Sequence, residues 1–202
     1  MTAPLTLADL PFPDTAAARG AYEVAARHHS PAMLGHAVRS WLWAAERGRR
    51  EGLAVDDELL FVAALLHDVA LEPAFDSHTV PFEYAGGELA WAFGAAAGWA
   101  PERREHAREV IVRHMGDPVD PADDAESYLL EVATSLDISG RSPEAWPAAF
   151  RAEVLGAHPR LGLPGEFLGC LRAQADRKPE SSAAAALASG IAGRLAANPL
   201  DA

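Results

Sequence analysis

Eight consecutive apolar residues, Leu59-Leu60-Phe61-Val62-Ala63-Ala64-Leu65-Leu66, leave no polar position for solvent and run directly into His67-Asp68. Such a run predicts a helix at the centre of a domain, opened by Asp56 or Asp57 as cap and carrying the His-Asp pair in its last turn. Upstream, Ser30-Pro31 reads as the cap and first position of another helix. In it Leu34, Ala37, Val38, Trp41, Leu42 and Ala45 form one apolar stripe, while His36, Arg39, Ser40 and Trp43 form a second at the same spacing. That helix is expected to end in a solvated charged stretch, Glu46 to Gly52. A first helix is predicted from Thr15 to near His28, behind an irregular arm of about thirteen residues.

Downstream, Val69 to Val80 reads as a loop, and an amphipathic segment runs from about Phe82 to Ala97. Gly86-Gly87 inside it weakens a helix and therefore predicts close approach of backbone to a neighbour or ligand. Pro101 leads a helix to Met115 on which Ala107, Val110, Ile111 and His114 share a face, so His114 points inward. A further helix from about Ala122 places Leu129, Val132, Ala133, Leu136 and Asp137 on one stripe. After turn signals at 140–143 and 158–165, helices are predicted from about Glu166 to Arg177, and from Ser181 or Ser182 to about Ala197. No segment alternates with period two over the length of a strand, so the fold class is all-α. The organisation is an arm and first helix (1–29), a core (30–140) and a C-terminal helical extension of the same domain (141–202).

Composition narrows the partners. The chain has 202 residues, enough for one domain with a substantial core, and a net charge of −12. That charge argues against nucleic acid and anionic membrane, both of which reward clustered Lys and Arg. No apolar run approaches a membrane span, and the first twenty residues lack the cationic start of a secretory signal. A single cysteine, Cys170, forms no internal disulfide, which fits the cytoplasm. Trp41-Leu42-Trp43 suits a homo-oligomer interface as well as a core, leaving the oligomeric state open.

Three inward helical faces thus carry His36, then His67-Asp68, then Asp137. Histidine beside a buried carboxylate is a donor set that a divalent cation satisfies. In this order the residues resemble the signature of the HD-domain superfamily, helical metalloenzymes that are mostly phosphohydrolases. The resemblance implies that His36, His67, Asp68 and Asp137 ligate one divalent transition metal, Zn²⁺ first, with Fe²⁺, Mn²⁺ and Ni²⁺ as alternatives. Phe82-Glu83-Tyr84-Ala85-Gly86-Gly87 is similar to the Phe-Glu-x-x-Gly-Ala/Gly element of the cyanamide hydratase-like branch. Val110 to His114, Ala133 to Gly140, His158 to Gly162 and Lys178-Pro179 also look like segments of that branch. The chain departs from it at Val69-Ala70-Leu71-Glu72, where a glycine-containing turn is usual, and at Thr79-Val80-Pro81, where a basic residue is common. Both departures fall in the loop expected to line the pocket, so they bear on the substrate.

The resemblance implies an enzyme using a metal-bound water on a small nitrile-type or amide-type molecule. Two alternatives stand beside it, a phosphohydrolase acting on a nucleotide or other phosphoester and a non-catalytic binding module. The hydratase reading predicts a compact, largely apolar pocket, the phosphohydrolase a pocket with clustered cations. Supporting residues have two readings each. Glu83 is a general base or fixes a turn, and His114 is a further site residue or a satisfied core histidine. His78 is a pocket acid or base, or a solvated loop residue; Arg39 holds phosphate or pairs with a site carboxylate. His28, His29 and His106 read as surface histidines, and Trp41 and Trp91 as core.

Overall fold

The computed structural model describes residues 5–201, so expectations falling on residues 1–4 and 202 lie outside it. The described residues form ten α-helices, four short 3-10 helices and no strand.

α1 (Ala16–His28) starts where the Thr15 hydroxyl accepts the Ala18 amide, and α2 (Pro31–Glu51) where the Ser30 hydroxyl accepts the Met33 amide. α2 runs to Gly52, whose left-handed backbone suits the residue without a Cβ. Only its last part is solvated: Glu46 is buried and pairs with Arg50, correcting the expectation of a fully exposed end.

α3 (Asp57–Leu66) is capped by Asp56 and is the hub of the domain, in contact with α1, α2, α4, α5 and α6. Each of its eight apolar residues is essentially inaccessible. At roughly 1.5–3 kcal/mol for each fully buried large side chain, this one helix carries a large part of the apolar stabilisation. His67 is its C-cap and Asp68 the next residue, so burying the run carries the pair into the interior.

α4 (Phe82–Ala96) and α5 (Pro101–Arg113) pack closely as neighbours. The paired glycines make this approach: a Cβ on Gly86 would stand 3.2 Å from the His67 carbonyl oxygen, and one on Gly87 3.0 Å from that of Arg108. Gly87→Ala is therefore expected to lower the thermal midpoint. The alanine gains up to ~1 kcal/mol of helix propensity, but crowding rigid backbone costs roughly 1–3 kcal/mol. A midpoint that rises instead would show that α4 moves off α5 without cost.

α6 (Ala125–Ser139) begins three residues later than the sequence predicts, because Asp124 supplies the cap by accepting the Ser127 amide. α7 (Ala148–Ala157) has no counterpart among the helices expected from the sequence. It buries Phe150 and Val154 in the core with Leu155 packed beside them, and Phe150 is fixed by packing on Trp43 across the fold. α8 (Leu163–Arg177) agrees with the expected helix apart from an earlier start. The expected last helix is two, α9 (Ser182–Ala188) and α10 (Ile191–Ala196), because Gly190 takes a left-handed conformation between them. α8, α9 and α10 build a second apolar cluster with Met33, Phe82 and Ile138 against the main core. No described helix is long and apolar enough to cross a membrane.

Candidate metal centre

Where the second cluster meets the main core lies a cavity of about 390 Å³. Its buried floor is His36, His67, Asp68 and His114; its walls are mostly apolar, with Thr134, Ser135 and Ser139 along one side. Arg141 and Arg194, both exposed, line its rim.

The floor gathers lone pairs. His67 Nδ1 donates to the Ala64 carbonyl at 2.7 Å, and His114 Nδ1 donates to the carbonyl of Ile111. In its neutral form each of these rings therefore turns an unprotonated Nε2 to the site. His36 Nδ1 donates to Asp137 Oδ2 at 2.7 Å, so its Nε2 also faces inward, 3.1 Å from His67 Nε2. Asp68 Oδ2 stands 3.4 Å from His36 Nε2 and 3.2 Å from His67 Nε2. Neither Asp68 oxygen has a hydrogen-bond partner, although both are buried. Ring nitrogens and carboxylate oxygens packed this way need positive charge between them, a shared proton or a cation. His36, His67 and Asp68 each offer one donor atom within 4.8 Å of the others and could hold a metal ion.

Asp137 stands behind this set and does not line the cavity. Arg39 clamps it, Nε to Oδ1 and Nη2 to Oδ2, both at 2.8 Å, and Trp43 Nε1 donates to Oδ1 at 3.0 Å. With His36 these make four donors, matching the roughly four lone-pair sites of a carboxylate. Its backbone carbonyl accepts from Asn198 Nδ2 at 3.0 Å and from Arg160. Arg39 reaches on to the His158 and Pro159 carbonyls at 3.3 and 3.1 Å. Of its two sequence readings, the structure places Arg39 with the carboxylate and away from the cavity.

Burial would raise the Asp137 carboxyl, but the Arg39 charge and the hydrogen bonds hold it well below the usual carboxylate range. Asp68 is likewise raised by burial and brought well below that range by His67 and His36. His36 is lowered by burial and raised, on balance, by Asp137 and Asp68. His114 falls to about 4 through burial and the neighbouring His67, so it is neutral at pH 7.

The remaining expectations separate. His114 lies in the floor, its Nε2 3.8 Å from Asp68 Oδ1, and packs edge-on against His67 and Phe82. Glu83 is buried in the first turn of α4 with Oε2 unpartnered, but does not line the cavity. His78 is exposed, beside Arg177 and Lys178 at a different surface depression. Sequence reasoning missed Thr134, Ser135 and Ser139. The available signal was weak: all three lie on α6 within one turn of Asp137, but only Thr134 stands at a spacing that shares its face. It also missed Arg160 and Asn198, which no local pattern connects to α6, and Arg141 and Arg194.

The surface histidines need correction. His29 is buried, its Nδ1 2.8 Å from Glu72 Oε1, because the chain folds back after the turn at 69–71 over the start of α2. His28 is partly covered by Phe75, and Trp91 is only half-buried. His106 lies 3.1 Å from Asp124 Oδ1 and, with Glu126, forms a second His-carboxylate group. There Asp124 already caps α6 and Glu126 accepts the Asp56 amide, so the group has a structural role. The Asp124 hydrogen bond raises the His106 pKa despite partial burial. A raised folded-state pKa gives stability that is full below the unfolded value near 6.5 and is lost as pH rises through the folded value. His106→Gln is accordingly expected to lose more stability at pH 6 than at pH 8.5, measured by urea unfolding at both. Equal losses would show that His106 does not titrate in this range.

Together these features define an all-α fold with a buried His-His-Asp donor group at the foot of an apolar cavity. No family model matches the chain. Two curated relatives do: it is 27% identical over 184 residues to the cyanamide hydratase DDI2 of Saccharomyces cerevisiae, spanning 89% of this chain and 81% of the relative. The same figures hold for the cyanamide hydratase DDI3 of that yeast. The chain is thus a distant homologue of these enzymes over most of its length.

Proposed function

We propose that the protein is a metal-dependent hydratase of the HD-domain type, adding water to a nitrile-type carbon. The observation that carries this reading is the pair of unpartnered Asp68 oxygens beside two facing histidine Nε2 atoms. His36, His67 and Asp68 would hold one divalent transition metal, with Asp137 fixing the His36 tautomer from behind. A Zn²⁺ or similar ion supplies Lewis acidity and a nucleophilic water near neutral pH.

The chain's own groups do the rest. The apolar walls keep bulk water from the electrophile. Thr134, Ser135 and Ser139 donate their hydroxyl protons to the Glu131 carbonyl, the Glu131 carboxylate and the Ser135 carbonyl, so their oxygens offer lone pairs that accept from a substrate N–H. His114, neutral at pH 7, offers Nε2 as a proton acceptor beside Asp68. The homology to cyanamide hydratases supports this chemistry over phosphoryl transfer, and so does the placement of the arginines at the rim instead of the floor.

The test is to supply the Zn²⁺-loaded protein with cyanamide and, separately, with p-nitrophenyl phosphate. Urea formation from cyanamide without phosphate release is the expected result. Phosphate release without urea would replace the hydratase by the phosphohydrolase, and neither product would leave a binding module.

A further inference from the structure

The cavity is large for cyanamide. Its 390 Å³ lies within the range of roughly 300–1,000 Å³ that holds organic ligands many times cyanamide's size. Binding energy per ligand atom has a ceiling, so a molecule that small leaves most of the lining unused. That lining is apolar: Ile138, Phe167, Leu171 and Ile191 are all buried and face the cavity. Water in contact with such walls is readily displaced by a hydrocarbon body.

The rim has the opposite character. In a chain with 29 acidic and 17 basic residues, the two charged side chains at the rim are both arginines. Arg141 is paired with Glu131, which partly neutralises it. Arg194 is not paired with a carboxylate among the described residues: Nη1 donates to the Ser189 carbonyl at 2.7 Å and Nη2 to the Ser189 hydroxyl at 3.0 Å. These bonds hold the guanidinium without cancelling its charge. The left-handed Gly190 turns the chain between α9 and α10, and so brings Ile191 and Arg194 of α10 to the same cavity.

We propose that the physiological substrate is a nitrile-type or amide-type molecule with an apolar body and an anionic group, the anion held at the rim by Arg194 with Arg141 beside it. The electrophilic carbon then lies at the histidine floor and the body against Phe167, Leu171 and Ile191. This rests on the hydratase reading for the reacting group, but not for the anion.

The experiment compares 4-cyanobutanoate with its methyl ester in the Zn²⁺-loaded protein and in Arg194→Gln. The expected kcat/KM favours the carboxylate by at least about tenfold, the scale of one charge-assisted hydrogen bond. In Arg194→Gln most of that ratio disappears, whereas Arg108→Gln, whose side chain pairs with Glu88 and Glu105 away from the cavity, keeps it. Equal rates for acid and ester, or an unchanged ratio in Arg194→Gln, would overturn the proposal. If no nitrile is turned over, calorimetry with pentanoate and butyl phosphate separates the two readings. Binding of either anion that is lost in Arg194→Gln keeps the anion site while the hydratase fails, and the tighter of the two identifies carboxylate or phosphate. Binding of neither overturns the anion site as well.

Discussion

Replacing His67 and Asp68 together by alanine is expected to abolish Zn²⁺ binding and the proposed hydratase activity, leaving the fold in place. The parent, reconstituted with Zn²⁺, should carry about one ion per chain by elemental analysis, and the variant close to none. The donor group depends on these two residues more than on any other pair, since they supply one ring nitrogen and both unpartnered carboxylate oxygens. His36 alone cannot hold an ion against water. Activity on cyanamide should fall to background, because nothing else in the cavity lowers the pKa of water toward neutrality. Far-ultraviolet circular dichroism should be unchanged: the substitutions remove a cluster of mutually repelling lone pairs and leave the apolar run of α3 intact. A parent that binds no metal after reconstitution with Zn²⁺, Mn²⁺, Fe²⁺ or Ni²⁺ would end the metalloenzyme reading. A variant that keeps the metal would relocate the site.

Arg39→Leu should be the most damaging single substitution for stability. Arg39 and Asp137 are both fully buried and joined by two parallel hydrogen bonds of 2.8 Å. Removing the guanidinium leaves the carboxylate facing His36 and Trp43 with two acceptor positions unfilled in a site without water access. Breaking a buried pair from one side costs roughly 3–5 kcal/mol. Against a total of about 5–15 kcal/mol, that places the variant near the threshold of folding. Urea unfolding should show a lower midpoint at unchanged slope, the shift multiplied by the slope giving this loss. The loss should also reach the donor group, because Asp137 is what orients His36. At a temperature where the variant is still folded, its Zn²⁺ affinity should fall by roughly 10- to 100-fold, the usual effect of removing a group that supports a ligand from behind. A destabilisation under about 1 kcal/mol, far short of the cost of a broken buried pair, would mean that Arg160, 3.7 Å from Asp137 Oδ2, takes over the carboxylate.

Much of this protein was legible in the residue order. The apolar run of α3 announced a central helix and the burial of His67 and Asp68 at its end, since a helix with no polar face has nowhere else to go. The cap at Ser30, the cap at Asp56 or Asp57 and the prolines at 31 and 101 placed helix starts, because these signals act within one turn and need no partner elsewhere. The inward faces that carry His36 and Asp137 came from helical periodicity, which is equally local.

Tertiary structure alone decided the division of labour among those residues. Whether Asp137 touches the cavity or stands behind His36 depends on Arg39, Trp43, Arg160 and Asn198, which come from three separate parts of the chain. Likewise the size of the cavity and the two arginines at its rim depend on where α8 and α10 pack, a long-range outcome that helical spacing does not encode. Local signals fix where a helix begins and which face turns inward; only the packing of those faces fixes what each buried group finds opposite it.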